Sequence, residues 1–237
     1  SSTVMPDKDA MVAIKEIQDI AREGMINAIT FDITIKSHDQ VWVENGLGNF
    51  ENLVEHSHVA CLKNKFCNSS VIIVSPGPSL EKNVELLKEV KGKAIIVAVS
   101  HSLEFLKAKN IVPDVVIHVD PADLKKLYSK KNGKEISHYD DWIDGGDVSN
   151  IPRFVISNYS APNLFRSPFE NILWMSPGLP IGEFLPEDSF NYHRIGGSVS
   201  HSAFDIAIEW GCESVALIGQ DLAVSKKGDI YSANAAI

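Results

Sequence analysis

Val71-Ile72-Ile73-Val74-Ser75-Pro76-Gly77-Pro78-Ser79-Leu80 joins two kinds of secondary structure within one short segment. Four apolar β-formers run into a Pro-Gly-Pro turn, and Ser79 then opens a stretch whose apolar residues Leu80, Val84 and Leu87 share one helical face. Pro78 presets a helical φ, Gly77 permits close approach to the backbone, and Ser79 is placed to cap. A strand, a glycine turn and a helix in that order leave backbone N–H groups free at the helix start, where the dipole also favours an anion. The segment is neither a P-loop, because no Gly-Lys-Ser/Thr follows, nor a G-x-G-x-x-G fingerprint. Taken alone it is equally compatible with an ordinary β-to-α turn.

The same pattern recurs downstream. Ala94–Val99 is an apolar run that stops at Ser100-His101-Ser102, and Val115–Val119 is entered through Pro113-Asp114 and stopped by Asp120-Pro121. Phe154–Ile156 ends in Ser157-Asn158-Tyr159-Ser160, Ile172–Met175 in Ser176-Pro177-Gly178, and Val215–Ile218 in Gly219-Gln220-Asp221. Nearly continuous apolar strands separated by helical stretches predict an α/β fold, a doubly wound and mostly parallel Rossmann-like sheet covered on both faces. Ligands of such sheets bind beyond the carboxyl ends of the strands, and here those ends are rich in Gly, Ser, Asn, Asp and His.

Composition excludes several classes of function. A net charge of -9 argues against a general nucleic-acid or membrane-surface binder, so an anionic ligand must be held by local donors. The 3 cysteines, Cys61, Cys67 and Cys212, have no framework spacing and fit a reducing, cytoplasmic compartment. The polar start and the lack of a long apolar stretch predict neither signal peptide nor membrane anchor. Arginine is scarce, and Arg194 stands beside a glycine turn.

The chain is expected to divide near residue 68. Residues 1–67 read as a small α-rich appendage: a helix over Asp9–Ala28 with Met11, Ile14, Ile17, Ala21 and Met25 on one stripe, an alternating strand Phe31–Ile35, a turn at Asn45-Gly-Leu-Gly48 and a short helix over Asn49–Glu55. Residues 68–224 form the Rossmann-like domain, interrupted by a polar excursion over 130–150. Residues 225–237 read as a polar tail, cut from a longer protein.

A second site element is Arg194-Ile-Gly196-Gly197-Ser198-Val199-Ser200-His201-Ser202, which opens a helix carrying Val199, Ala203, Ile206, Ala207 and Trp210. A Gly-Gly-Ser turn at a helix start offers another anion- or carbonyl-binding surface, with Ser198 and Ser200 as further donors and Arg194 able to grip a carboxylate or phosphate. The alternative is that the glycines only permit close helix–sheet packing.

Gly77-Pro78-Ser79-Leu80, Pro113-Asp114 with Asp120-Pro121, Gly196-Gly197-Ser198-Val199 and Ile218-Gly219-Gln220-Asp221-Leu222-Ala223 together resemble the Maf (motility-associated factor) glycosyltransferases, whose core is the MptE-like domain. The resemblance covers about residues 40–224 and includes Trp42, Asn45 and Asn49. A more distant similarity runs to bacterial sialyltransferases. The resemblance implies transfer of a nonulosonic acid from a CMP-sugar, the co-substrate, to Ser or Thr of flagellin in the cytoplasm. It implies that Gly77, Pro78 and Ser79 line the nucleotide phosphate or ribose, with Ser100 and His101 beside the nucleotide. Asp120 would bond a hydroxyl, and Asn158 and Arg194 would join the donor-binding set. Gly197, Ser198 and Val199 would contact cytosine or the donor carboxylate, and Gln220 and Asp221 would close the pocket.

This sequence departs from the sialyltransferases at Pro76, where they carry Asn, and their general base falls beyond the position of Asp221. Asp221 and His101 are the catalytic candidates within the chain. His201, in the first turn of a helix, reads as a packed or solvated side chain, and His118 as a core residue. His56-x-His58 with Cys61 and Cys67 lacks a standard metal spacing, so no metal site is expected there, and divalent-metal dependence of the reaction is left open. The same domain family includes enzymes that transfer pyrophosphate from Mg-ATP to a hydroxymethyl dihydropterin, a chemistry for which Asp120 and Asp221 are the available carboxylates. A non-catalytic nucleotide-binding module is the third reading.

Overall fold

The computed structural model describes residues 8–121, 152–167, 169–176 and 198–223. Seven strands form one all-parallel sheet: β1 (Ser57–His58), β2 (Ser70–Val74), β3 (Ile95–Val99), β4 (Val115–His118), β5 (Arg153–Ser157), β6 (Ile172–Met175) and β7 (Ser214–Ile218). Their spatial order is β1-β6-β5-β4-β3-β2-β7. The doubly wound α/β architecture expected from the apolar runs is therefore present. The runs of β3 to β6 are continuous because both faces of the sheet are buried there, whereas the edge strand β7 is only partly covered, with Leu217 51% exposed, which corrects the expectation of a sheet covered throughout. Alternate side chains feed two cores. Val71, Ile73, Val97, Val115, Ile117, Val155 and Met175 enter one, and Val74, Ile96, Ala98, Val116, Phe154, Ile156 and Trp174 the other.

Helices cover both faces. Beyond α1 (Lys8–Gly48) and α2 (Phe50–Glu55), the short helices α3 (Leu80–Asn83), α4 (Leu86–Val90) and α5 (Leu103–Ala108) follow β2 and β3. They place Leu80, Leu87, Leu103, Phe105 and Leu106 in one core. Helix α6 (Val199–Glu209) precedes β7 and places Ala203, Ile206 and Ala207, followed by Trp210, in the other. Opposite faces follow from handed crossovers: the chain steps one way from β2 to β3 and the other way to reach β7.

Three N-terminal expectations are corrected. Phe31–Ile35 is helical, lying inside the single helix Lys8–Gly48. Its alternating Ile and Thr residues cost only tenths of a kcal/mol each, roughly, within a cooperative helix that no Gly-Pro signal interrupts. Asn45 and Gly46 are also helical, so the turn comes only at Asn49, before α2. Packing divides the chain after Gln40 rather than near residue 68, and residues 41–67 belong to the same unit as the sheet. Ser57 and His58 pair with Leu173 and Trp174 as its edge strand. Among the described residues, no helix is long and apolar enough to cross a membrane.

Candidate functional site

β2 and β7 are far apart in sequence but adjacent in the sheet, with Val74 opposite Ile218. The strand order reverses there, and the carboxyl ends of the two strands open into a crevice. Their tips are hydrogen-bonded beyond the ladder: Ser75 N–H donates to Ile218 O and Gly77 N–H to Gly219 O, both at 2.8 Å. Gly219 holds φ at +69°, and a Cβ there would collide with the carbonyl of Ser75. A Cβ on Gly77 would collide with the carbonyl of Gly219 and lie 2.7 Å from Asp221 Oδ2. Both glycines therefore let two strand tips meet.

Asp221 lies across this junction. Its Oδ2 accepts a hydrogen bond from Ser79 N–H at 2.7 Å. The Ser79 side chain makes no capping hydrogen bond, and α3, the helix that it precedes, has only 4 residues. The capping expected of Ser79 is thus corrected, since the carboxylate of Asp221 occupies the N–H that the turn presents. A charged acceptor shortens and strengthens such a bond.

The remaining walls come from β3 and α6. His101 follows the tip of β3, and Ser198 caps α6 by accepting from Ser200 N–H at 3.4 Å, with the two hydroxyls 2.7 Å apart. Together these elements enclose a cleft of about 520 Å³, in the size range of small-ligand sites. Of the expected site residues, Gly77, His101, Ser198, Val199, Gln220 and Asp221 line it. Ser75, Pro76, Val99, Ser200, Gly219, Leu222 and Ala223 also line it. The described lining thus supplies hydroxyls, one imidazole, one amide and one carboxylate, with no lysine or arginine among the described residues. Ser75 Oγ is buried and has no hydrogen-bond partner among the described residues. Burial favours the neutral ring and pushes the His101 imidazole below its ordinary value, while the nearby charge of Asp120 opposes that shift.

Pro78, Ser79, Ser100, Asp120 and Asn158 do not line the cleft. Ser100 is fully buried and its Oγ lies 3.0 Å from Nδ1 of His118, itself buried. Burial pushes His118 down to about 4, with Asp120 opposing and His101 reinforcing the shift. Burial raises Tyr159 as well, followed by the nearby charge of Asp120, while a hydrogen bond from Ser157 opposes both. Asp120 therefore stands at the electrostatic centre of a second polar cluster, at the tips of β4 and β5. Two asparagines from the α1–α2 junction hold that cluster in place. Asn45 Nδ2 donates to the carbonyls of Pro121 at 2.7 Å and Tyr159 at 2.9 Å. Asn49 Nδ2 donates to those of Asn158 at 3.0 Å and Ser160 at 2.8 Å. Arg194 and Gly197 lie outside the described residues.

Spacing did not single out Ser75 as a lining residue, or Asn45 and Asn49 as clamps. Ser75 was findable from its place at a strand tip, whereas the asparagines, noted only in a turn and in the family resemblance, gave no local sign of a clamp, because their partners are remote in sequence. Among the described residues, no group of three His, Cys, Asp or Glu side chains is placed to hold a metal ion.

Comparison with known proteins agrees with this fold. The profile of the family described as "6-hydroxymethylpterin diphosphokinase MptE-like" matches residues 44–227, more than half of the chain. The chain belongs to the MptE-like family. Among solved structures, the Maf glycosyltransferase from Magnetospirillum magneticum AMB-1 is similar in fold, with a TM-score of 0.55 and 22% sequence identity. The match covers 68% of this MptE-like chain and 24% of that one, so it corresponds to about a quarter of the solved protein. No curated protein matches the sequence.

Proposed function

We propose that the cleft between β2 and β7 binds a CMP-activated nonulosonic acid, and that the chain is the donor-binding part of a glycosyltransferase. The acceptors are Ser or Thr hydroxyls of flagellin, modified in the cytoplasm. The observation that carries this reading is the cleft itself: it lies at the point where the strand order reverses, and its described walls offer hydroxyls, an imidazole and a single carboxylate. That chemistry suits a ribose, a sugar and one phosphate better than a triphosphate with its metal. The fold similarity to a Maf glycosyltransferase and the motif resemblance support the same class.

In this reaction the acceptor oxygen bonds to the anomeric carbon as the bond from that carbon to the CMP phosphate oxygen breaks. A tertiary anomeric centre bearing a carboxylate favours an oxocarbenium-like transition state, and the acceptor proton passes to a general base. Of the two candidates, His101 suits that role better, because its ring is held neutral by burial. Asp221 already accepts from Ser79 N–H, and we assign it to closing the pocket and orienting a donor hydroxyl. Gly77, Pro78, Ser79, Ser100, Asp120, Asn158, Arg194, Gly197, Ser198, Val199 and Gln220 remain assigned to donor binding, the lining residues by direct contact.

A second reading is pyrophosphoryl transfer from Mg-ATP to a hydroxymethylpterin, favoured by the description of the matching family. Calorimetric titration with CMP, CTP and ATP, each with and without Mg²⁺, separates the two. Metal-independent, cytidine-selective binding is expected, to be followed by assay with CMP-nonulosonates and flagellin. Mg²⁺-dependent ATP binding would replace the first reading with the second. Absence of nucleotide binding would refute both for this chain.

A further inference from the structure

The roots of β2 and β7, at the end of the sheet opposite the cleft, bring two cysteines together. The parallel ladder begins with Ser70 opposite Ser214. It is extended upstream by Glu213 N–H donating to Ser69 O at 3.0 Å. The next residues outward are Asn68, already in a turn, and Cys212. Asn68 has φ +65°, which turns the chain back, with Cys67 immediately before the bend. Two further bonds hold this loop against the end of α6: Phe66 N–H to Trp210 O at 3.0 Å and Asn64 N–H to Glu209 O at 3.1 Å. Cys67 Sγ consequently lies over Gly211, the residue before Cys212, and would be 2.9 Å from a Cβ built there. Both thiols are free, with Cys67 exposed and Cys212 partly so, while Cys61 stands on the separate 3-10 turn Val59–Leu62.

We propose that Cys67 and Cys212 form a reversible intramolecular disulfide that links the roots of the two strands whose tips build the cleft. Cys67 Sγ already stands over the residue before Cys212, so a small movement brings the pair within the Cα separation that a disulfide bridges, about 4.4–6.8 Å. The oxidant is a low-molecular-weight disulfide such as oxidised glutathione. The thiolate of Cys67, the more accessible sulfur, attacks it, forming a Cys67–glutathione mixed disulfide and releasing one glutathione thiolate. Cys212 then attacks the Cys67 sulfur, the mixed S–S bond breaks and the second glutathione leaves. The two protein thiol protons end on the two glutathiones, and the protein dithiol is oxidised as glutathione disulfide is reduced. Burial and the neighbouring Cys67 raise the Cys212 thiol, which fits it to resolve rather than initiate. Disulfides in reducing compartments are typically transient or redox-sensing, which suits a pair outside the cleft.

The test uses the whole chain in glutathione buffers of graded GSH:GSSG ratio, quenched with acid, alkylated and read by intact and peptide mass spectrometry. The expected product is a monomer lacking two hydrogens, with a Cys67–Cys212 linked peptide that dithiothreitol removes. C61S should behave as the parent, C67S should form no link, and C212S should accumulate glutathione on Cys67. A lasting glutathione adduct on Cys67 of the parent, a link involving Cys61, a disulfide between molecules or no reaction at all would each overturn the proposal. The parent chain alone decides these outcomes, so a variant that fails to fold does not obscure them.

Discussion

Gly219→Ala probes the contact on which the cleft depends. At φ +69° an alanine incurs left-handed strain of about 1 kcal/mol. Its methyl group would also collide with the Ser75 carbonyl, a rigid backbone atom, and lie 3.1 Å from Leu80 Cβ. Relief requires the β2 and β7 tips to separate, which breaks the bonds from Ser75 N–H to Ile218 O and from Gly77 N–H to Gly219 O. At roughly 1 kcal/mol for each bond, the total loss is about 3 kcal/mol, a large share of the ~5–15 kcal/mol that stabilises an ordinary domain. Gly92→Ala is the matched control, because Gly92 has φ +79° with nothing within 4 Å of an added Cβ. It should lose only the strain, about 1 kcal/mol. Urea unfolding followed by tryptophan fluorescence, with m-values compared, measures both. Equal losses in the two variants, or a Gly219→Ala loss below about 1 kcal/mol, would refute the close approach of the strand tips.

Three further outcomes are expected. His118 is buried, with its folded value lowered from 6.5 to about 4, so the unfolded chain binds the extra proton between those values. The associated stability is complete above about pH 6.5 and lost as pH falls toward 4, up to about 3 kcal/mol. Urea midpoints measured from pH 7.5 down to 4.5 should fall less steeply in His118→Gln; an unchanged slope would show that another group dominates. Asn49→Ala deletes two buried hydrogen bonds to the carbonyls of Asn158 and Ser160 and should cost about 2 kcal/mol. Asn49→Asp, which turns an acceptor toward those carbonyls, should cost more, and the reverse order in denaturation would contradict the clamp. Trp210 is 1% exposed, yet its indole N–H has no acceptor among the described residues. Trp210→Phe, which removes that donor, should therefore change stability by about 1 kcal/mol or less in thermal melts, against about 3–5 for Trp210→Ala.

The sequence alone determined the strands β2 to β7 and their sidedness. An uninterrupted Val/Ile run such as Val71–Val74 has few stable placements other than a sheet buried on both faces, and polar tips such as Gly219-Gln220-Asp221 stop it at the ligand-binding edge. Ser57–His58 escaped notice because two residues carry no period, and only their partners in β6 make them a strand. Phe31–Ile35 shows the converse: alternation is local, and helix cooperativity across Lys8–Gly48 overrode it. The order of the strands was decided only by the tertiary structure. That order set β2 against β7, put Asp221 on the N–H of Ser79 and aligned Asn45 and Asn49 with carbonyls in the loops that follow β4 and β5. Periodicity reports how each segment divides its side chains between core and solvent. It contains no information about which remote segment will satisfy a particular donor, because that pairing is fixed by the packing of the whole sheet.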